Sequence, residues 1–379
     1  MANKKTQPFY NIQEVSNLTG LEESSIQYYE NVFSDLLPAK VFRSDKALFQ
    51  SEAVDIFRRI HQWVSVKPVS VEEIRALLIA QQNSPEETEN TRLAKVLGMT
   101  SGKGGVGKSS LSLNLALEIH RRGYRTVLFD ADLGTANLHI LAGVTPVHTL
   151  YDVTHGTAGI DEILTQGPEQ LGLIAGGSGV CQLANLQRHR RFHLISELEK
   201  LEACVDVLMI DTAPGISGNV TDFLQVCDLS LVLTTPDLTS ITDAYGLIKS
   251  VLAEGDAERL GVVPNMVRSG SQAQNLYERL GGCVHRFLDF DIEFFGHVVK
   301  DQAVVRSALY RKPFLLNEPA CRASRCIRKL ADKIEERFLG GHKHQSSVAR
   351  LWDYWTHFAE TVGQPPPRVA RREKEKSAF

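Results

Sequence analysis

The chain has 379 residues, 43% apolar and 23% charged, the make-up of an ordinary globular protein of two or three domains; wholesale disorder, a collagen-like repeat and a disulfide miniprotein are excluded. A formal charge of −3 excludes coating of nucleic acid by bulk charge, so any DNA contact must be local. No apolar run reaches the ~18 residues that span a bilayer, Met1–Tyr10 lacks an apolar signal core, and six cysteines without a CxxC pair are expected to be reduced thiols in a cytoplasmic protein.

The first predicted elements lie in FYNIQEVSNLTGLEESSIQYYE, residues 9–30. An apolar helix breaks at Thr19-Gly20, and a second helix starts near Glu22–Ser25. Two short helices joined by a tight Gly-containing turn form a helix-turn-helix. With Leu36-Leu37-Pro38, Phe42-Arg43, Ser51–Val54 and Val71–Leu78, the segment resembles a MerR-type winged helix, a small all-α domain over 1–80. That family reads DNA with the second helix and the wing, which implies contacts from Ser24, Ser25, Gln27, Tyr28, Arg43, Lys46, Arg58 and Arg59. Gln27 stands where arginine is usual. Lys4 to Arg75 carries nine Lys/Arg against ten Asp/Glu, so phosphate neutralisation is weak, and a protein-binding module remains the alternative. Residues 81–92, QQNSPEETENTR, hold almost no bulky apolar side chain and read as a linker.

From residue 93 to 339, apolar runs alternate with helical patterns. Strands are predicted at Lys95–Thr100, Thr126–Asp130, Gly172–Ala175, Val205–Asp211, Leu229–Thr235, Gly261–Asn265 and Phe294–Val298. Near-continuous apolar strands separated by helices predict an α/β, mostly parallel, doubly wound sheet. Between the first strand and the helical run SLSLNLALEIH lies Gly102-Lys103-Gly104-Gly105-Val106-Gly107-Lys108-Ser109, a full GxxxxGK[ST] phosphate loop in its required setting. Its glycines let the backbone turn tightly and aim N–H groups at phosphate oxygens, and the following helix, with Ser110 in its first turn, adds a favourable dipole. Lys108 suits the β- and γ-phosphates of ATP, and the Ser109 hydroxyl suits Mg²⁺. Asp130-Ala131-Asp132 and Asp211 close later strands and are expected beside this loop, because ligands of open parallel sheets sit at strand carboxyl ends. An aspartate after a strand is otherwise a helix cap, a reading that suits Asp130 best. Asn265, ending another strand with Arg268 close behind, could offer a donor and an acceptor to a base; such an Asn is otherwise a turn residue.

The string KGGVGKSS resembles the deviant Walker A motif of the MinD/ParA ATPases. The resemblance covers roughly 93–338 and implies roles residue by residue. Lys103 would reach the nucleotide of a partner copy, making a homodimer depend on ATP. Asp132 would orient the attacking water, Asp211 would hold Mg²⁺ through water, and Asn265 would read the base. Asp130–Leu138, Ile174–Val180, Thr235–Tyr245 and Val263–Val267 resemble the FlhG/FleN flagellar-number branch. Thr135 and His139 depart from that branch within the presumed switch. The Gly176–Gly179 turn reads either as a contact with the dimer partner or as a flexible loop, and Arg188–Arg191 reads foremost as a solvated basic face.

The last region, 340–379, carries Val348, Leu351, Trp352, Trp355, Phe358 and Val362 at helical spacing, then a basic tail. Residues 347–362 suit peripheral contact with the inner face of the membrane or packing on the protein's own core. The resemblance implies an ATP-hydrolysing dimer switch that regulates flagellar number or placement. Its partners would be DNA through residues 9–78 and a flagellar GTPase or regulator. A nucleotide-gated MerR-like transcription regulator and a ParA-like partition ATPase are the alternatives.

Overall fold

The computed structural model describes residues 9–38, 40–43, 46–66, 71, 74, 75, 78, 93–132, 136–177, 188–254 and 259–340. The expected linker, residues 133–135 of the switch, the Gly-rich turn beyond Gly177, Cys181 and the C-terminal segment from 341 lie outside them. The chain divides into two compact units, Met1–Glu86 and Glu87–Phe379.

In the first unit, α1 (Ile12–Thr19) begins with a reciprocal cap. Asn11 Oδ1 accepts from Glu14 N at 2.9 Å, and Glu14 Oε2 accepts from Asn11 N at 2.8 Å. Such a box satisfies two N–H groups that a helix start leaves orphaned. Gly20, at φ +78°, ends α1 in the left-handed conformation. The chain then enters α2 (Glu23–Val32) and later α3 (Ser51–Val66). Val15, Ile26, Phe33, Phe57 and Ile60 close a core among these helices. To the expected helices the fold adds a three-stranded antiparallel sheet in the order β1 (Phe9–Tyr10), β3 (Lys46–Gln50), β2 (Val41–Arg43), the β2–β3 pair forming the wing.

The second unit is built on eight strands: β4 (Lys95–Thr100), β5 (Thr126–Ala131), β6 (Leu164–Gln166), β7 (Gly172–Ile174), β8 (Val207–Thr212), β9 (Leu229–Thr234), β10 (Leu260–Pro264) and β11 (Glu293–Phe294), in the spatial order β11-β10-β9-β4-β8-β5-β7-β6. All neighbouring pairs are parallel except β6–β7. β5, β8 and β9 are buried at every residue, as expected for strands covered on both faces. Two of the sequence expectations shift at an edge. β6 is an extra three-residue antiparallel strand with two of its three residues exposed, too short for a periodicity to register. β11 is two residues long, because Gly296 at φ +141° bends the chain soon after it.

The phosphate loop follows β4, and α4 (Lys108–Arg121) leads away from it with Leu111, Leu113, Leu115, Leu117 and Ile119 buried. The helix Arg322–Ile334 packs its apolar face, Ala323, Ile327, Leu330, Ala331 and Ile334, into the same core cluster. Arg122 ties the end of α4 to Asp332 and Glu335, each at 2.8 Å. No helix among the described residues is long and apolar enough to cross a membrane.

Asn114 pins α4 from within. Its Nδ2 donates to Ser110 O at 2.8 Å and its Oδ1 accepts from the buried Leu315 N at 2.8 Å. Replacing it by leucine leaves that N–H without an acceptor. Asn114→Leu is expected to lower unfolding free energy by about 1–3 kcal/mol, read as a reduced denaturation midpoint with an unchanged slope.

Candidate functional site

A cleft of about 430 Å³ opens at the carboxyl end of β4, lined by Ser101, Lys103 through Ser110, Asp132, Leu141 and Pro214. Two features of the loop let its backbone form the wall. Gly105 and Gly107 have φ of +77° and +86°, a region costly for residues with a Cβ. Gly102 touches the backbone of the helix Leu238–Glu254, where an added Cβ would lie 2.3 Å from the Asp243 carbonyl. The loop is braced from three further sides. Ser101 Oγ donates to Lys103 O at 3.0 Å, Gly215 N donates to Ser101 O at 2.9 Å, and Asn265 Nδ2 donates to Val106 O at 2.7 Å.

The charged groups beneath the loop come from neighbouring strands. Lys108 is buried, with Nζ 2.9 Å from Asp211 Oδ1. Ser112 Oγ, one turn along α4, donates to the same oxygen at 2.6 Å. The other oxygen, Asp211 Oδ2, is buried and has no hydrogen-bond partner among the described residues. Asp130 is the direct neighbour of Asp211 across β5 and β8. Burial, with the Asp211 charge beside it, pushes the Asp130 carboxyl up to about 7. Its oxygens accept from Asp132 N and Leu138 N, each at 3.1 Å, so Asp130 holds both of these backbone positions.

Two buried carboxylates thus face one ammonium group. The spare Asp211 oxygen, the Ser109 hydroxyl at the cleft wall and the unbalanced negative charge form a hard oxygen donor set. Magnesium suits such a set when phosphate completes it. The glycine-walled cradle above suits the phosphates themselves.

The structure brings Lys103, Lys108, Ser109, Ser110 and Asp132 to one cleft, with Asp211 directly under it. Lys103 is held at the rim, where Nζ lies 2.5 Å from Asp237 Oδ2 and donates to Thr239 Oγ1 at 2.6 Å. This contact keeps the Asp237 carboxyl below its usual range. Asn265 differs from expectation in its immediate duty. It is buried, its Nδ2 grips the phosphate loop and its Oδ1 accepts from Met266 N at 2.8 Å. Arg268 is exposed, its backbone N–H donating to Gln272 Oε1 at 2.7 Å. Neither residue lines the phosphate cleft.

In the first unit, Ser24, Gln27 and Tyr28 are exposed on α2 and Ser25 is half-buried. Arg58 and Arg59 are exposed on α3. Arg43 and Lys46 pair across the wing by backbone register; their side chains lie outside the described residues. Sequence reasoning missed Ser112 on Asp211 and the Asp237–Thr239 anchor for Lys103. The latter had a legible signal, since TPDLT follows β9 at the same carboxyl end of the sheet as the loop.

The raised Asp130 group has a pH consequence. Its pKa in the folded chain exceeds the unfolded carboxylate value, so the folded form holds a proton that the unfolded form releases, and stability falls as pH rises toward about 7. In protein free of nucleotide and magnesium, Asp130→Asn should remove about 2–3 kcal/mol of the loss between roughly pH 5 and pH 8, measured by denaturant titration of both proteins at the two pH values.

Comparison with known proteins agrees with this geometry. Residues 97–314 match the CobQ/CobB/MinD/ParA nucleotide binding domain, and residues 10–81 match the MerR HTH family regulatory protein. The chain is 34% identical over 241 residues to the antiactivator FleN of Pseudomonas aeruginosa, covering 64% of this chain and 86% of FleN. It is 32% identical over 225 residues to the flagellum site-determining protein YlxH of Helicobacter pylori, covering 59% and 76%. In fold it resembles the cell division ATPase MinD of Pyrococcus furiosus, with TM-score 0.54 and 21% identity over 64% of this chain and 99% of that one. MinD of Pyrococcus horikoshii, solved with Mg-ADP, gives TM-score 0.54 and 20% identity over 66% and 98%. The chain belongs to the CobQ/CobB/MinD/ParA nucleotide-binding family, as a P-loop ATPase with FleN-like relatives and a MerR-type module at its N-terminus.

Proposed function

We propose that this ATPase is a dimerisation switch of the MinD/FlhG type, set by ATP and magnesium, that regulates the number or placement of flagella. The observation that carries the reading is a buried Lys108–Asp211 pair under a glycine-walled cleft, with a second lysine, Lys103, anchored at its rim. In this reading Lys108 leaves Asp211 for the β- and γ-phosphates, and Ser112 keeps the freed carboxylate oriented. Ser109 and Asp211 hold the metal, the latter through water. Magnesium, when bound, neutralises charge that develops on the phosphate oxygens. Asp132 orients the attacking water. Lys103 exchanges Asp237 for the nucleotide of a second copy, so closure of the dimer completes the site. Asn265 keeps the base side and the phosphate loop in one register, with Arg268 beside it.

The flagellar role rests on what FleN and YlxH are named for, and the N-terminal module adds targeting to DNA or to a partner protein, such as a flagellar GTPase or regulator. Two weak DNA modules joined in one dimer act at high effective concentration, so nucleotide state would set DNA occupancy. A nucleotide-gated transcription regulator is the second reading, favoured by the match to MerR regulators. The slight negative net charge disfavours a partition ATPase that coats DNA.

Light scattering and ATP hydrolysis test the switch together. Wild-type protein with a non-cleavable analogue is expected to double in mass. Lys108→Ala should lose nucleotide binding and slow turnover by about tenfold or more. Lys103→Ala should keep nucleotide binding yet remain single; dimerisation equal to wild type would refute the role given to Lys103. For the module, full-length Asp132→Ala held in ATP should shift a promoter fragment that the same protein carrying Gln27→Glu and Tyr28→Ala does not. Equal shifts by both proteins would remove DNA reading from α2.

A further inference from the structure

A second cavity, of about 550 Å³, lies within the ATPase unit between the chain leaving β11 and the helix Arg322–Ile334. Its floor is apolar, with Phe295, Val299 and Leu330 buried. Its wall is one face of the helix, bearing Arg322, Arg325, Lys329 and Lys333. These sit at intervals of three, four and four residues, so their spacing along the axis is about 4.5–6 Å. His297 completes the wall opposite, its imidazole held below its ordinary range by burial and by Lys329.

The acids nearest the groove are already committed, apart from Glu336, which faces Lys333. Glu293 pairs with Arg259 at 2.8 Å and Arg337 at 3.4 Å, and also faces Lys333. Asp301 accepts from Ala303 N and Ala323 N, and Glu318 pairs with Arg306. Lys333 donates to Phe294 O and lies 5.4 Å from the Phe294 ring centre. Among the described residues, Arg322, Arg325 and Lys329 have no acidic partner within ion-pairing distance. Three unpaired cations along a groove, in a chain whose overall charge is negative, mark a surface that repels itself until an anion arrives.

β11 is also the free edge of the sheet. Beyond it, Phe295 N and Val298 N bond inward to Val262 O and Pro264 O, while the N–H groups of Gly296 and His297 find no acceptor among the described residues. Lys333 already takes Phe294 O and Gly296 bends the chain, so what this edge offers an extended segment is the pair of N–H donors at Gly296 and His297. Along an extended segment, side chains on one face recur every ~6.6 Å, so they meet the helix cations, about 4.5–6 Å apart, in pairs rather than as a full row. The apolar floor suits a peptide side chain, and among the described residues the one partly exposed ring in the groove is His297, too little of a platform for successive bases.

We infer that the groove between the β11 edge and the Arg322–Ile334 helix docks an extended acidic peptide segment of a partner protein, its carboxylates along the basic face and an apolar side chain on the floor. The site is separate from the nucleotide cleft and stands whether or not the dimer switch is correct.

Fluorescence anisotropy tests it on the full-length protein, with a labelled dodecapeptide of alternating glutamate and valine. Saturable binding is expected that weakens with salt and drops about tenfold or more in Arg325→Glu/Lys329→Glu. The milder Arg325→Gln/Lys329→Gln should give an intermediate loss, with unchanged circular dichroism and nucleotide binding in both variants. The matching lysine–valine peptide should not bind. Absence of saturable binding, or equal affinity in the charge-reversed variant, overturns the inference. It is likewise overturned if a charge-matched single-stranded oligonucleotide, or vesicles containing phosphatidylserine, bind through the same residues more tightly than the peptide.

Discussion

The ATPase unit depends on one electrostatic constraint: two aspartates, Asp130 and Asp211, side by side at the ends of adjacent buried strands with a single lysine to answer them. Neither carboxylate can move to water, because each is fixed by its strand. The imbalance is managed in two ways. Lys108 and Ser112 converge on one oxygen of Asp211. Asp130 is forced toward its neutral form and spends its oxygens on two backbone N–H groups. The remaining Asp211 oxygen stays without a protein partner among the described residues. The excess of negative charge is one that a bound cation relieves, an arrangement typical of functional sites.

The sheet order explains why these groups meet. β4 lies between β8 and β9, and the chain reaches β5 by passing over the place that β8 later fills. The loop after β4 therefore stands at the point where connections diverge, and the ends of β5, β8, β9 and β10 supply what surrounds it. Asp130, Asp211, Asp237 and Asn265 follow or end four different strands; the last three bond directly to a loop of eight residues, and Asp130 acts on it through the charge of Lys108.

Much of this was legible from the chain because the relevant signals are local. The glycine spacing, the lysine before the helix and the strand-end aspartates each sit within a few residues of an apolar run, so period and position were enough. The helix-turn-helix was equally readable from Thr19-Gly20 and the apolar positions on either side. What escaped were contacts whose partners are far apart in sequence. Ser112 lies 99 residues from Asp211, and Lys103 lies 134 from Asp237. Asn265 shows the converse limit: its strand-end place was legible, but not that its amide grips the phosphate loop 159 residues away. The basic groove was hidden in the same way, since its cations are spread along one helix among acids that only the fold removes from their reach.

Gly102 carries a mechanical consequence. Its bare α-carbon lets the phosphate loop rest directly on the backbone of the Leu238–Glu254 helix, and the residues just before and at the start of that helix hold Lys103. Loop and helix thus behave as a gear pair with no slack between the teeth. A tilt of the helix cannot be absorbed by a side chain turning aside, and is delivered at once to the lysine that guards the cleft.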